Sequence, residues 1–380
     1  MKNIVLILVS ALLGAGLAFP IISQNNAAKI KSLQTQIQTL QDSQASAVAA
    51  PAPVAGGESP VRLLQRLNTL DPVPHANRAK ITRQIVHDLH ELTLQGQPAL
   101  ADIRRFLAEG KDIDYVFTDE RPQAENFWAW HPGQPLKVGE FILPPSLRLG
   151  LIDVCRYIGG EDAEVTLAFV LNSSKRGIEV ACCAQILDSM NKGSYHELAD
   201  GVAKRILASP PQGRGPLDAI STSCLTAMLI AHGDTSLVPS AKEGMIKPDH
   251  TLDVEATQYL IGVKKEKGVA DLYEAYKKSD TTTDTRHKLA SLSLNYVGVS
   301  PEADQMAGEM LKDDTMDSNT RSVNILMLAN AVPGMHSTVP ITAPVAAKRI
   351  EFLQGVATAS KSEQITKAVA QAVTALQAIK

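Results

Sequence analysis

Along most of this chain apolar residues recur three and four positions apart, in short runs broken by Gly, Pro, Asn and Asp. That spacing predicts amphipathic helices rather than strands. Between Leu147 and Ser209 it predicts four. Leu147, Leu151, Val154 and Cys155 line one side of the first, which Gly159 and Gly160 end. Val165, Leu167, Ala168 and Leu171 line the second. Ile178, Cys182, Ala184, Ile186 and Leu187 line the third, which Lys175-Arg176 opens and Gly193 breaks. Leu198, Val202, Ile206 and Leu207 line the fourth. Each is too short to be stable alone, so each must bury its stripe on neighbours.

The same rhythm extends in both directions. Upstream, Leu63, Leu64, Leu67 and Leu70 precede Pro72 and Pro74. A longer helix runs from Asn77 to Leu94 over Ile81, Ile85, Val86 and Leu89, and Pro98 opens another over Leu100, Ile103 and Leu107. Downstream, helices are predicted at Leu217–Ala231, Leu237–Met245, from Asp253, at Val269–Tyr276, from Asp284-Thr285-Arg286, from Pro301, and from Asn319-Thr320-Arg321 with Val323, Ile325, Leu326 and Leu328. The last two are Val345–Val356 and Ser362–Lys380, the latter suited to close the stack with its polar side outward. Asp, Asn, Ser and Thr at these starts are N-cap residues.

Thr285-Arg286 and Thr320-Arg321 lie 35 residues apart, and Lys175-Arg176, Leu217-Asp218 and Asp253 open helices in the same role. In rhythm and capping, residues 61–380 resemble HEAT/armadillo-like repeats. The resemblance implies an all-α fold, a right-handed α-solenoid of HEAT-like helix pairs. It also implies a protein-binding scaffold with no shared catalytic residues to carry over.

The N-terminus departs from this pattern. An uncharged apolar run from Ile4 to Ile22 has about the length needed to cross a bilayer. Residues 1–23 are read as a transmembrane signal anchor, with a cleaved signal peptide as the alternative. Ile30, Leu33, Ile37 and Leu40 form an a/d stripe across residues 24–44, read as a short coiled-coil-like stalk that self-associates, or else a lone polar helix or tether. Residues 45–60, rich in Ala, Pro and Gly, are a linker. Lys2 favours a cytoplasmic N-terminus. The expectation is a single-pass protein of a bacterial inner membrane with its repeat domain on the periplasmic side. After signal cleavage it would instead be a secreted protein.

Composition excludes some classes. The net charge of −3 gives no electrostatic footprint for nucleic acid. Cys155, Cys182, Cys183 and Cys224 form no C-x-x-C pair and fall inside apolar patterns, as small core residues do. In an oxidising compartment two of them could pair. No nucleophile elbow, Walker A loop or dinucleotide fingerprint occurs, and no cofactor is implied.

Two groups remain as site candidates. His87, His90 and Glu91 share one helical turn and could hold a metal for a metal-dependent enzyme, although the zincin spacing is absent. An exposed charged helix face explains them equally. Residues 111–145 interrupt the helical rhythm as an insertion holding Tyr115, Phe117, Phe127, Trp128, Trp130 and Phe141, six of the chain's 16 aromatics. Aromatic anchors in loops often dominate interfaces. These are the candidate contacts for a protein partner or, in a secreted form, for a carbohydrate or cell-wall polymer. The competing reading folds the rings back as local core.

Overall fold

A computed structural model describes residues 58–73, 77–115, 143–209, 216–278, 280–332 and 339–379. The described chain is all-α, with two isolated β-bridges, Asp114 to Ser146 and Ile246 to Leu252. It falls into two compact units. One takes the described residues up to Met228 and the other those from Leu229.

The first unit contains α1 (Pro60–Leu67), α2 (Arg78–Gln95), α3 (Gln97–Ala108), α4 (Leu147–Ile158), α5 (Gly160–Ser173), α6 (Gly177–Met190), α7 (His196–Ala208) and the short α8 (Pro216–Ala219). Helix α9 (Ser221–His232) carries the division between units within it. Helices α1 to α7 pack mainly on the next helix and the next but one: α2 on α3 and α4, α4 on α5 and α6, α5 on α6 and α7. Leu147, Leu151, Leu167, Val170, Ile178 and Leu187 are fully buried between them, each contributing about 1.5–3 kcal/mol by leaving water.

The second unit holds α10 (Val238–Gly244), α11 (Val254–Lys264), α12 (Glu266–Tyr276), α13 (Thr283–Ser293), a 3₁₀ turn at Leu294–Tyr296, α14 (Pro301–Lys312), α15 (Ser318–Met327), α16 (Ala343–Ala359) and α17 (Glu363–Gln377). Packing again links near neighbours, α12 with α13 and α14, α14 with α15 and α16, and α17 with α15 and α16. Leu260, Leu272, Leu289, Met306, Ile325, Leu353 and Ile365 share its core.

Helix ends follow capping chemistry. Asp253, Thr282, Ser300 and Asp317 accept backbone N–H bonds at the starts of α11, α13, α14 and α15. Such caps stabilise by about 1 kcal/mol each. Thr282 and Asp317 are 35 positions apart (282 to 317), and each cap falls ahead of the residues predicted to open its helix. Arg286 and Arg321 therefore sit inside the first turn. At the α4–α5 junction Gly159 and Gly160 both have positive φ, +66° and +79°. This conformation is open to glycine at no steric cost, and it lets the chain reverse within two residues.

Two expectations need correction. The helix predicted at Leu217–Ala231 is divided into α8 and α9 at Ile220. Ser221 donates its hydroxyl to Leu217 O at 3.1 Å, a back-bond that bends helices. Val323, predicted on the apolar stripe of α15, is 42% exposed. The buried side of α15 instead carries Arg321, Ser322, Asn324 and Ile325, because Ile325 and the following Leu328 are the residues that enter the core of this unit. Among the described residues no helix is long and apolar enough to cross a membrane. The run from Ile4 to Ile22, the stripe of Ile30, Leu33, Ile37 and Leu40, and most of the linker lie outside the described residues.

Candidate functional site

A cleft of about 510 Å³ opens in the first unit where α3, α4 and α5 meet the start of α6. Its walls combine Leu107, Phe169 and Ser173 with a lattice of charged groups. The lattice starts from Arg148, in the first turn of α4 and only 6% exposed. Its Nε and Nη2 donate to Glu179 Oε1 and Oε2, both at 2.9 Å, and its Nη1 donates to Leu107 O at 2.6 Å. Glu179, on α6, is 2% exposed and also accepts from the Ser174 hydroxyl at 2.9 Å. A buried pair of this kind is tolerated because both partners are fully hydrogen-bonded.

Arg176, just ahead of α6, gathers the second half of the lattice. It donates to Asp112 Oδ2 at 2.7 Å, Asp114 Oδ1 at 2.8 Å and Asp218 Oδ1 at 2.9 Å. Asp112 links the halves, since its Oδ1 accepts from the Arg148 backbone N–H at 2.9 Å. The segment bearing Asp112 and Asp114 is held to the start of α4 by Tyr115 N–H to Pro145 O at 2.8 Å and Leu147 N–H to Ile113 O at 3.0 Å. One guanidinium thus ties together three places far apart in sequence.

The electrostatics follow from this packing. Burial pushes the Asp112 carboxyl up to about 6; the Arg148 N–H opposes the rise, Glu179 adds to it, and Ser146 and Arg176 oppose it. Burial also works against the Arg176 cation, but its bond to Asp114 and the charges of Asp114, Asp112 and Asp218 outweigh that and hold it above its ordinary value. Arg148 is likewise held up by Glu179 against burial. The Ser174 hydroxyl meets a carboxylate already occupied by Arg148, so Glu179 is poorly placed to take its proton. The chemistry of this lattice is rigid positioning, with Lys175 exposed at the cleft's edge.

The residues singled out in the sequence fall elsewhere. Tyr115 is 2% exposed, its hydroxyl has no hydrogen-bond partner, and burial pushes the phenol above its ordinary value. Its ring belongs to the interior. Phe117, Phe127, Trp128, Trp130 and Phe141 lie outside the described residues. His87 and His90 are exposed on α2, with Glu91 half-buried beside them. Among the described residues no group of three or more His, Cys, Asp or Glu side chains is arranged to hold a metal ion. The four cysteines are free and buried. Burial pushes Cys155 and Cys224 up to about 12, far from the thiolate that reactive cysteines need.

Sequence reasoning noted Lys175-Arg176 and Leu217-Asp218 only as helix openings and missed Asp112, Arg148 and Glu179. The available signal was a charge inside an apolar run: Arg148 stands between Leu147 and Leu149, and Glu179 between Ile178 and Val180. No family model, curated protein or solved structure matches the chain.

Proposed function

We propose that this chain is a non-enzymatic protein-binding scaffold, a right-handed α-solenoid of HEAT-like helix pairs. In this reading residues 4–22 anchor it and the repeat domain works on the extracytoplasmic face of a bacterial inner membrane. The observation that carries the reading is the packing order. In each unit, helices rest mainly on the next one or two along the chain, as in repeat proteins, where each repeat contacts only its neighbours. The 35-residue interval between the Thr282 and Asp317 caps supports it. Stacking of this kind builds extended surfaces that accumulate contact area one repeat at a time.

The test uses the full chain in membranes. Replacing Trp128 and Trp130 together by Ala is expected to leave helical content unchanged by circular dichroism while reducing recovery of captured partners. Loss of the helical signal would place the rings in the core and remove the insertion as the recognition surface. N-terminal sequencing of the mature chain tests the anchor, because a start beyond Ile22 means that the segment is cleaved.

A further inference from the structure

The two most exposed large apolar side chains among the described residues stand at one edge of the first unit. Leu94, in the last turn of α2, is 66% exposed, and Tyr157, in the last turn of α4, is 60% exposed. Val73, Val254 and Val323 follow at 36%, 40% and 42%. Helices α2 and α4 pack together, and the turns that follow them are joined, since Gln97 Nε2 donates to Gly159 O at 2.8 Å. The Arg156 guanidinium lies 4.6 Å from the centre of the Tyr157 ring. A single exposed apolar residue is ordinary on a protein surface. Two at joined helix ends make one apolar edge.

The same edge receives the chain from its N-terminal side. Gln95, next to Leu94, donates its Nε2 to Glu58 O at 2.8 Å, and Arg66 of α1 donates to the Glu58 carboxylate at 2.5 Å. Residues 1–57 therefore join the domain beside Leu94. They carry the apolar run from Ile4 to Ile22, and 35 residues (23 to 57) separate that run from Glu58.

We propose that this edge rests on the lipid bilayer, with Leu94 and Tyr157 entering the headgroup layer. The inference rests on the anchor in the proposed function. A tethered domain meets its membrane as an intramolecular partner at high effective concentration. A contact of two side chains, too weak to hold a free protein on a membrane, is then enough to orient this one. Tyrosine is a residue of membrane–water interfaces, its ring among the headgroups and its hydroxyl toward water. Leucine adds apolar area to that contact. Gly96, Gly159 and Gly160 leave the turns beside them without side chains to hold the bilayer off. Glu161 and Asp162 stand exposed at the start of α5, so zwitterionic headgroups fit this edge better than anionic ones.

The experiment puts p-benzoylphenylalanine in place of Leu94, Tyr157 or Lys175 in the full chain, held in phosphatidylcholine nanodiscs, and identifies the photoadducts by mass spectrometry. Lys175 is the control. It is exposed and lines the charged cleft with Arg148, which lies nine positions and about 14 Å along α4 from Tyr157. Lipid adducts are expected severalfold more often at Leu94 and Tyr157 than at Lys175. Adding Leu94→Gln should cut the lipid yield at Tyr157 severalfold and leave the melting temperature level. Lipid adducts no more frequent at the edge than at Lys175 would overturn the proposal. Adducts to residues before Glu58, or to a second copy of the chain, would overturn it in favour of those occupants. A mature chain that starts beyond Ile22 rejects the anchor and the edge with it, whereas an anchored chain without lipid adducts rejects the edge alone. Neither result touches the scaffold, which partner capture tests.

Discussion

Arg349 offers the sharpest test of how the second unit is held together. It sits on α16 with 0% exposure. Among the described residues no carboxylate pairs with it. Its Nε donates to Val297 O at 2.8 Å, Nη1 to Leu328 O at 2.7 Å and Nη2 to Asn295 O at 2.7 Å. One cation therefore closes the end of the 3₁₀ turn and the end of α15 onto α16. Burial pushes its guanidinium down to about 10, with only the charge of Asp304 working the other way. Relative to an ordinary arginine, that disfavours the cation by about 3 kcal/mol. Three hydrogen bonds from a charged donor contribute about 6 kcal/mol in total, at the lower part of their usual range. The difference leaves a net stabilisation of about 3 kcal/mol. Arg349→Met keeps much of the volume and removes every donor, so it should destabilise the second unit by about that amount. Urea unfolding with hydrogen exchange read by mass spectrometry checks it. Protection should fall in residues 294–300, 325–331 and 343–359, and little in residues up to 228. Arg349→Lys should lie between, since a point charge cannot reach three diverging carbonyls. If Arg349→Met is as stable as the wild type, or the loss of protection is uniform along the chain, the three-carbonyl clamp does not hold this unit together.

Two further outcomes are expected in the first unit. The Asp112 carboxyl is raised from 3.8 to about 6 in the folded chain, so the native state takes up that proton first on acidification. Its contribution to stability rises as pH falls through 6 towards 4 and is absent above that window, with a span of about 3 kcal/mol. The stability of Asp112→Asn relative to wild type, measured by urea unfolding at several pH values, should therefore decrease from pH 7 to pH 4, and a flat difference would refute the assignment. Gly177 opens α6 where an added Cβ would meet Ser221 O at 2.7 Å and Leu225 Cδ1 at 2.9 Å. Gly177→Ala should cost about 1–3 kcal/mol by forcing backbone apart, visible as a lowered melting temperature, and no change would mean that α6 and α9 are less closely packed.

Periodicity alone was enough to determine the all-α character and most helix positions, because a stripe at helical spacing has to be buried and local capping residues mark where each helix starts. Gly159-Gly160, Asp253 and Pro301 did their work within a few residues of themselves and were legible for that reason. The charged lattice and the Arg349 contacts depended on separations that no local pattern carries. Arg176 meets Asp112, Asp114 and Asp218, 64, 62 and 42 positions away, and Arg349 reaches carbonyls 52, 21 and 54 positions off. Tyr115 looked like part of an aromatic display and lies in the interior, while Val323 looked like core and faces water. A side chain's type limits what it can bond, but its partner and its exposure are set by which helices stack beside it. That stacking is decided by the sum of long-range burial and the pairing of buried charges, neither of which is written in any one stretch of sequence.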